Sequence, residues 1–460
     1  VFSFLGFETQ EVPVAGRLEV NIDFAASASV LEEVVVVGYG TTTKKEVTGA
    51  TAKVEGAALE KLNIPRMDQA LQGQVSGVNI NTNSGSPGGS SSIRIRGLST
   101  FGDNDPLILV DGIVYDSEGL NSLNPADIES INILKDATAS IYGVRAANGV
   151  IIIETKKGTI NSPTKIEINS YAGIQQTARK LNLLNAEEYA VIKNEIFGSA
   201  GEDLPFNNTA LGGGTNWQDE VFQTAMMHSH NISITGGSKK NSFSVGGSYF
   251  NQDGIIGGKK SNFERYNARL NFVTQLNDKF KLTSIFLYTQ EKRKTLPENG
   301  IGSVLYNTIN ASPTKPVQTP NGNYSYLEEV SDVINPIAQM ENTYNQAVVN
   351  KFVGKEEIAF KINKHFTFTN RFNYNFALVD AKSFSPLTWY GPGKAQNTAL
   401  NANLDPTMVE IGDSTFIERG ASVYEAKTTY VDLSGESFLN YDRTFKKKHQ
   451  IKGTAGASIF

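Results

Sequence analysis

Cysteine is absent from this 460-residue chain, which removes disulfide frameworks, CxxC metal sites and thiol catalysis together. The absence also fits an oxidising compartment, where free thiols are a liability. No run of about 18 apolar residues occurs, so no transmembrane helix is expected. A transmembrane barrel survives that test, because its strands alternate apolar and polar residues and keep the average hydropathy low. Positive charge is not in excess either: 42 Lys and Arg stand against 47 Asp and Glu. With no basic stripe, nucleic acid is excluded as a partner. Catalytic and nucleotide signatures are also missing. GYGTTTKK (38–45) lacks P-loop spacing, GVRAANG (143–149) is not a GxGxxG turn, no serine sits in GxSxG, and no carboxylate dyad stands out. His228 and His230 are neighbours without an acidic or third ligand, so metal binding is not favoured. No enzyme, cofactor or metal site is expected.

What is abundant is glycine (42), phenylalanine (25) and tyrosine (17), a profile of strands and turns. The chain starts at Val1 without a signal peptide, so a removed leader or an internal piece is expected. Val1 to Phe24 reads as two short strands, the end of a small β-sandwich over 1–26. After a small-residue linker comes LEEVVVVGYG (31–40), which neither alternates nor is long enough to span a bilayer. It is either a strand buried on both faces or an extended segment available to another chain's sheet edge.

From 46 to 160 the texture is mixed α/β, of a size to form one domain. A helix is expected over Met67–Gly73 and strands over Val78–Asn81, Ile93–Gly97 and Leu107–Val110. Further strands are expected at SINIL (130–134) and GVIIIET (149–155), with a short helix over DATASIYG (136–143). NSGSPGGSSS (83–92) is a flexible tract, Asp111-Gly112 a turn, and Asn124-Pro125 an N-cap followed by a first-turn proline.

Period-two alternation then takes over from 161 to 460. Tyr266, Ala268, Leu270 and Phe272 share one face, and Arg265, Asn267, Arg269 and Asn271 the other. Roughly nine strands of about ten residues each are expected, the length of a tilted transmembrane strand. Long connections (about 175–227, 251–262, 291–348, 378–423) alternate with short ones, the sorting of an outer-membrane barrel. A parity flip at Tyr430–Val431 suggests a β-bulge. Tyr249, Phe250, Tyr288, Tyr374 and Tyr441 are girdle candidates, and Asn185 with Glu188 forms a capping box for a helix starting at Ala186. An α/β domain entering from the short-turn side can fold inside such a barrel as a plug.

These residues resemble a known family. LEEVVVVGYG, LQGQVSGVNI (71–80), SIRIRG (92–97), PLILVDG (106–112) and LNPADIESINILKDATASIYGVRAANGVIIIETKKG (123–158) are similar to the SusC/RagA-type TonB-dependent transporters. The resemblance implies an antiparallel transmembrane β-barrel of about 22 strands with an α/β plug in the lumen. It is therefore expected that the chain is truncated at both ends, since roughly nine strands cannot close that barrel. It implies an outer-membrane importer of glycan oligosaccharides or oligopeptides, with its N-terminal segment in the periplasm. The implied partners are TonB, a SusD-like surface lipoprotein and outer-membrane lipid. The implied parts are a sandwich end (1–26), a TonB-box segment and linker (27–45), a plug (46–160) and barrel strands (161–460). The alternatives are a siderophore, haem or cobalamin receptor and, in another class, a passive porin or surface adhesin.

In the valine segment, Glu33, Val34, Val35, Val36, Val37, Gly38 and Tyr39 are the candidate TonB-binding residues, acting by strand addition. Phe101, Asp103, Asn104 and Asp105 form a loop that could face substrate. A plain polar loop is the favoured reading of the segment, and it lacks the ligand count and spacing of a calcium site. Arg94 and Arg96 are candidates for pairing with wall carboxylates, or for a solvated face.

Overall fold

The computed structural model describes residues 34–37, 40–43, 51–60, 66–82, 84–116, 118–135, 139, 142–330, 332–386, 388–391, 394–395, 408–411, 415–418, 421–446 and 449–460. The sandwich end expected over 1–26, most of the helix expected over 136–143, and Glu33, Gly38 and Tyr39 lie outside the described residues.

Val34–Val37 (β1) pairs with Gly40–Thr43 (β2) as an antiparallel hairpin that forms a sheet of its own. The α/β part follows. Its strands are Thr51–Glu55 (β3), Val78–Thr82 (β4), Ser91–Ile95 (β5), Leu107–Val110 (β6), Ile113–Tyr115 (β7), Ile128–Leu134 (β8) and Val150–Thr155 (β9). Helices Gly56–Glu60 (α1) and Met67–Leu71 (α2) complete it. Five strands form one sheet in the order β3-β8-β9-β6-β7, in which only β6 and β9 run parallel. β4 and β5 form a separate hairpin. The runs LILV and VIIIET do not alternate because the sheet is covered on both faces. Ile108, Val110, Ile151 and Ile153 pack on one side and Leu109, Val150 and Ile152 on the other. The β6–β7 turn is Asp111-Gly112, both with positive φ, as a two-residue hairpin demands. Asn124 caps a turn of 3-10 helix at Pro125–Asp127 by accepting from the Ala126 N–H.

One buried ion pair stands inside this core. Arg66 and Asp68 are 3% and 2% exposed, and Arg66 also donates to the Ser91 hydroxyl at 2.8 Å. The pair ties the start of α2 to β5.

The rest is a single nine-stranded antiparallel sheet in sequence order. Its strands are Lys165–Gln175 (β10), Ala225–Gly237 (β11), Asn241–Gly254 (β12), Gly258–Gln275 (β13), Phe280–Thr295 (β14), Tyr344–Lys361 (β15) and Phe366–Ser385 (β16). After two small loop hairpins, Trp389–Gly391 with Lys394–Ala395 (β17, β18) and Met408–Ile411 with Thr415–Glu418 (β19, β20), come Ser422–Phe445 (β21) and His449–Ile459 (β22). Alternation sorts the faces as the pattern predicts. Val245, Leu270 and Leu433 are exposed on the outer face. Ser244, Arg269, Asn271 and Thr289 are buried on the inner face, where the α/β part sits. That part fills the concave side of the wall as a plug. Apolar contact continues across the boundary, since Ile285, Leu287 and Val353 of the wall join the plug's core. A stacked Phe280–Phe360 pair and a tilted Phe366–Tyr441 pair lie at the short-turn end of the outer face. Tyr249 and Tyr266, 4.8 Å apart, lie toward the other end.

Four expectations need correction. Seven of the nine strands run 13 to 24 residues, longer than the roughly ten expected, while β10 and β22 have 11. For the same reason the connection expected at 251–262 is zipped up, with β12 and β13 paired out to Gly254 and Gly258. No bulge occurs at Tyr430–Val431, because β16 and β21 pair in unbroken register from Ser422 to Tyr441. Tyr430 belongs to the inner row and Val431 to the outer, so the flip marks two apolar faces. Phe250 turns inward, 2% exposed, against Phe263, and is no girdle residue. Tyr374 lies in mid-strand over Gly354, where no Cβ stands in its way.

The loops at the long-connection end are themselves folded. Helix Ala186–Ala200 (α3) has the expected capping box at Asn185 and Glu188, and Gly201 closes it in the left-handed region. Trp217–Val221 (α4), Val304–Asn310 (α5) and Pro336–Glu341 (α6) pack through Trp217, Ala311, Leu327 and Val333, with the Trp217 indole donating to the Ser312 carbonyl at 2.9 Å.

Replacing Asp68 by Ala leaves the Arg66 guanidinium buried and uncompensated, with an expected loss of about 3–5 kcal/mol. Hydrogen exchange over α2 and β5 should accelerate accordingly. The double variant Arg66→Met with Asp68→Leu should recover most of the protection.

Candidate functional site

The inner face of the wall carries the chemistry. Arg265 and Arg269 sit four residues apart on β13, so both point inward, and the plug receives them. Arg265 donates to the Asn121 carbonyl at 2.6 Å. Arg269 donates to the Asp127 carboxylate at 3.0 Å and to the Lys156 carbonyl at 2.6 Å. Gly246 makes room for this pair, since a Cβ there would lie 2.9 Å from the Asp127 carboxylate and 3.1 Å from Arg269. Between the two arginines, Asn267 donates to the Ser122 carbonyl at 2.6 Å, and Thr289 on β14 reaches the same oxygen at 3.1 Å. On β15, Lys351 pairs with Asp116 at 2.7 Å and lies over the Tyr115 ring at 3.9 Å. Lys355 donates to the Asp111 carbonyl at 2.6 Å. At the long-loop end of β14, Arg293 donates to the Pro87 carbonyl at 3.1 Å and the Ser86 hydroxyl at 3.0 Å.

In most of these contacts the wall supplies donors and the plug supplies carbonyls and carboxylates; Asn124, which donates to Asn231 of β11 at 2.7 Å, and Lys156, which pairs with Glu167 of β10 at 3.5 Å, run the other way. Plug turns expose unpaired backbone oxygens that need partners once buried. Within the plug, Asp111 accepts from the Thr155 amide and hydroxyl. Burial would lower the nearby Lys157 ammonium, but Asp111 and Glu154 outweigh it and hold its pKa above the usual value. Burial also pushes the Tyr115 phenol up, with Lys351 opposing.

The residues singled out from sequence are dispersed. Val34–Val37 are in the two-stranded hairpin, so among the described residues each of its strands keeps one unpaired edge. Strand β5 ends at Ile95. Arg94 is therefore a half-buried strand residue, whereas Arg96 lies beyond the strand, exposed, with φ of 60°. They do not share a strand face. Phe101 is fully exposed. Asn104 is engaged by its own loop, accepting from the Ser99 and Thr100 amides and donating to the Thr100 and Gly102 carbonyls. The Asp103 carboxylate accepts from the Asp105 amide at 2.9 Å. These are the bonds of a self-supporting polar loop, and among the described residues no acidic or histidine cluster could hold a metal. Asp103 and Asp105 border a 670 Å³ space between the plug and β16–β21, together with Asn373, Asn375 and Asp432.

Sequence reasoning missed two things. The fastening residues Arg265, Asn267 and Arg269 were visible as one polar strand face, but their partners are backbone carbonyls, which every residue carries. The tract 83–92 was read as flexible. It instead reaches the long-loop end of the wall, where Gly88, with φ of 64°, lies so close to Phe263 that a Cβ would come within 2.5 Å of the ring. There it floors a cavity of about 530 Å³ with Thr82, Ser84, Ser86 and Pro87.

Comparison with known proteins adds independent support. The family described as the TonB-dependent receptor plug domain matches residues 43–150. The TonB-dependent receptor SusC of Bacteroides thetaiotaomicron is 33% identical over 397 residues, covering 79% of this chain and 38% of that protein. TonB-dependent receptor P26 of Formosa agariphila is 32% identical over 468 residues, all of this chain and 44% of that one. The fold is similar to the structure of the RagAB peptide importer in its 'open-open' state, with a TM-score of 0.74, 23% identity, and coverage of 92% and 48%. The chain thus spans less than half the length of these relatives. With a plug matched by family, a nine-stranded wall folded around it and relatives aligned across both, the chain belongs to the SusC/RagA-type TonB-dependent receptors.

Proposed function

We propose that this chain is the plug and part of the wall of an energy-coupled importer in the outer membrane. Its cargo is a glycan oligosaccharide or an oligopeptide, handed over by a SusD-like surface lipoprotein. In this reading 27–45 is the coupling segment on the periplasmic side, 46–160 the plug and 161–460 the wall. The observation that carries it is the fastening of the plug by oriented polar contacts. A net hydrogen bond is worth about 0.5–1.5 kcal/mol because water can replace either partner. A plug held largely this way is firm at rest and can be sheared by a directional pull, with water entering behind it. A purely apolar seat would resist shear and aggregate when exposed.

The pull enters at Val34–Val37. β-branched residues favour the extended state, and the unpaired edges of the β1–β2 hairpin suit strand addition by TonB. Glu33, Gly38 and Tyr39 flank the strand and complete the proposed contact. Arg94 and Phe101 to Asp105 are kept as secondary candidates for wall and cargo contact.

Two outcomes test the reading in the full-length protein. Placing proline at both Val35 and Val36 should reduce uptake to the de-energised level while ligand binding persists; flux that survives would indicate a passive pore. Arg269→Ala strips Asp127 and the Lys156 carbonyl of their donor, a loss of about 3–5 kcal/mol for a broken buried pair. Ion leak through planar bilayers should rise, and Arg269→Lys should restore only part of the seal.

A further inference from the structure

Glu291 is the one acidic residue of β14, and it lies on the inner face directly opposite Arg265 of β13. Lys351 of β15 stands diagonally across from it, and Arg293 is two residues further along its own strand. Side chains directly opposite in an antiparallel pair are about 5 Å apart at Cβ, and diagonal ones about 7–8 Å, within reach of long side chains. Three cations therefore surround one carboxyl group, and each attracts it.

None of the three bonds it. Arg265 donates to the Asn121 carbonyl at 2.6 Å, and Lys351 pairs with Asp116 at 2.7 Å over the Tyr115 ring. Arg293 is taken by Pro87, Ser86 and Glu298. Glu291 Oε1 is left buried without a hydrogen-bond partner among the described residues, and the carboxyl group makes no ion pair there. Buried acceptors are nearly always bonded in native structures. Here one is bare with three donors beside it, because those donors face the plug or a loop.

Arg265 and Lys351 are 2% and 5% exposed. When the plug begins to move they lose Asn121 and Asp116 before water has room to replace them. A buried cation stripped of its partner is strongly destabilised, and an acceptor on the wall itself removes that penalty. We infer that Glu291 is a stand-by acceptor: as the plug leaves, Arg265 and Lys351 turn from Asn121 and Asp116 to Glu291. The inference rests on the importer reading and adds to it a positioning residue that eases release of the plug. A fixed counter-charge at this place would act in the opposite sense, by firming the plug at rest.

That difference of sign is the test, made in the full-length protein. Seating is read from hydrogen exchange of the amides at 118–122 and from ion conductance in planar bilayers. Glu291→Gln should leave exchange and conductance no higher than in the parent, with cargo affinity unchanged and energised uptake at least fivefold slower. Asp116→Ala alone should speed exchange less than fivefold, because Lys351 is caught by Glu291. Combined with Glu291→Gln it should speed exchange at least twentyfold, well beyond the product of the single effects. Asp116→Asn, which still accepts from the Gly119 amide, takes its place if the alanine variant does not fold. Faster exchange or a raised leak in Glu291→Gln alone, unchanged uptake, or single effects that simply multiply would each overturn the inference. The importer reading fails separately, if uptake in the parent does not depend on Val35 and Val36; the exchange measurements still decide the role of Glu291 in that case.

Discussion

The structure depends on a match between donors on a curved wall and acceptors on the body it surrounds. Arg265, Asn267 and Arg269 on one strand meet the carbonyls of Asn121, Ser122 and Lys156 and the carboxylate of Asp127. Buried carbonyls at plug turns must be paired or the plug could not be enclosed. Buried guanidinium groups must likewise find acceptors or the strand would not tolerate them. Each side therefore makes the other possible. The apolar contacts of Ile285, Leu287 and Val353 add cohesion. They do not specify register, because apolar packing is non-directional; the hydrogen bonds do.

On the importer reading, that division of labour would let one assembly be both sealed and movable. The plug's own core is apolar on both faces of its sheet and should move as a unit. Its boundary with the wall is mixed, and a pocket of about 20 Å³, with room for one water, lies among Asn124, Asp127, Arg269 and Thr289. Force applied at one end of the plug would meet the polar boundary before the core. Arg293 extends the same logic to the outer end, joining wall, loop and plug through Glu298, Ser86 and Pro87.

Much of the architecture was legible in the residues. Alternation in Arg265–Phe272 placed its two faces correctly, and the runs LILV and VIIIET announced a sheet covered on both sides. Asp111-Gly112, Asn124-Pro125 and the Asn185–Glu188 box were read from local chemistry and stand as read. The site was less legible. Arg94 and Arg96 were candidates for fastening because charge on a plug strand was the visible signal, yet most of the donors across the boundary come from the wall. The glycine- and serine-rich tract looked slack because composition says nothing of a neighbour such as Phe263.

By itself the sequence determined what repeats or acts locally: strand periodicity, turn and cap chemistry, the sorting of short and long connections, and the family. Those are properties of a residue and its near neighbours along the chain, so spacing alone carries them. Only the tertiary structure decided which carbonyls the inward arginines meet, how far β12 and β13 stay paired, that Phe250 points inward, and that the tract at 83–92 floors a cavity. Each of these turns on a backbone oxygen, a register or a close approach between segments distant in sequence. The physical reason is that such contacts are chosen by geometry among many chemically equivalent groups, and the residue code does not distinguish one carbonyl from another.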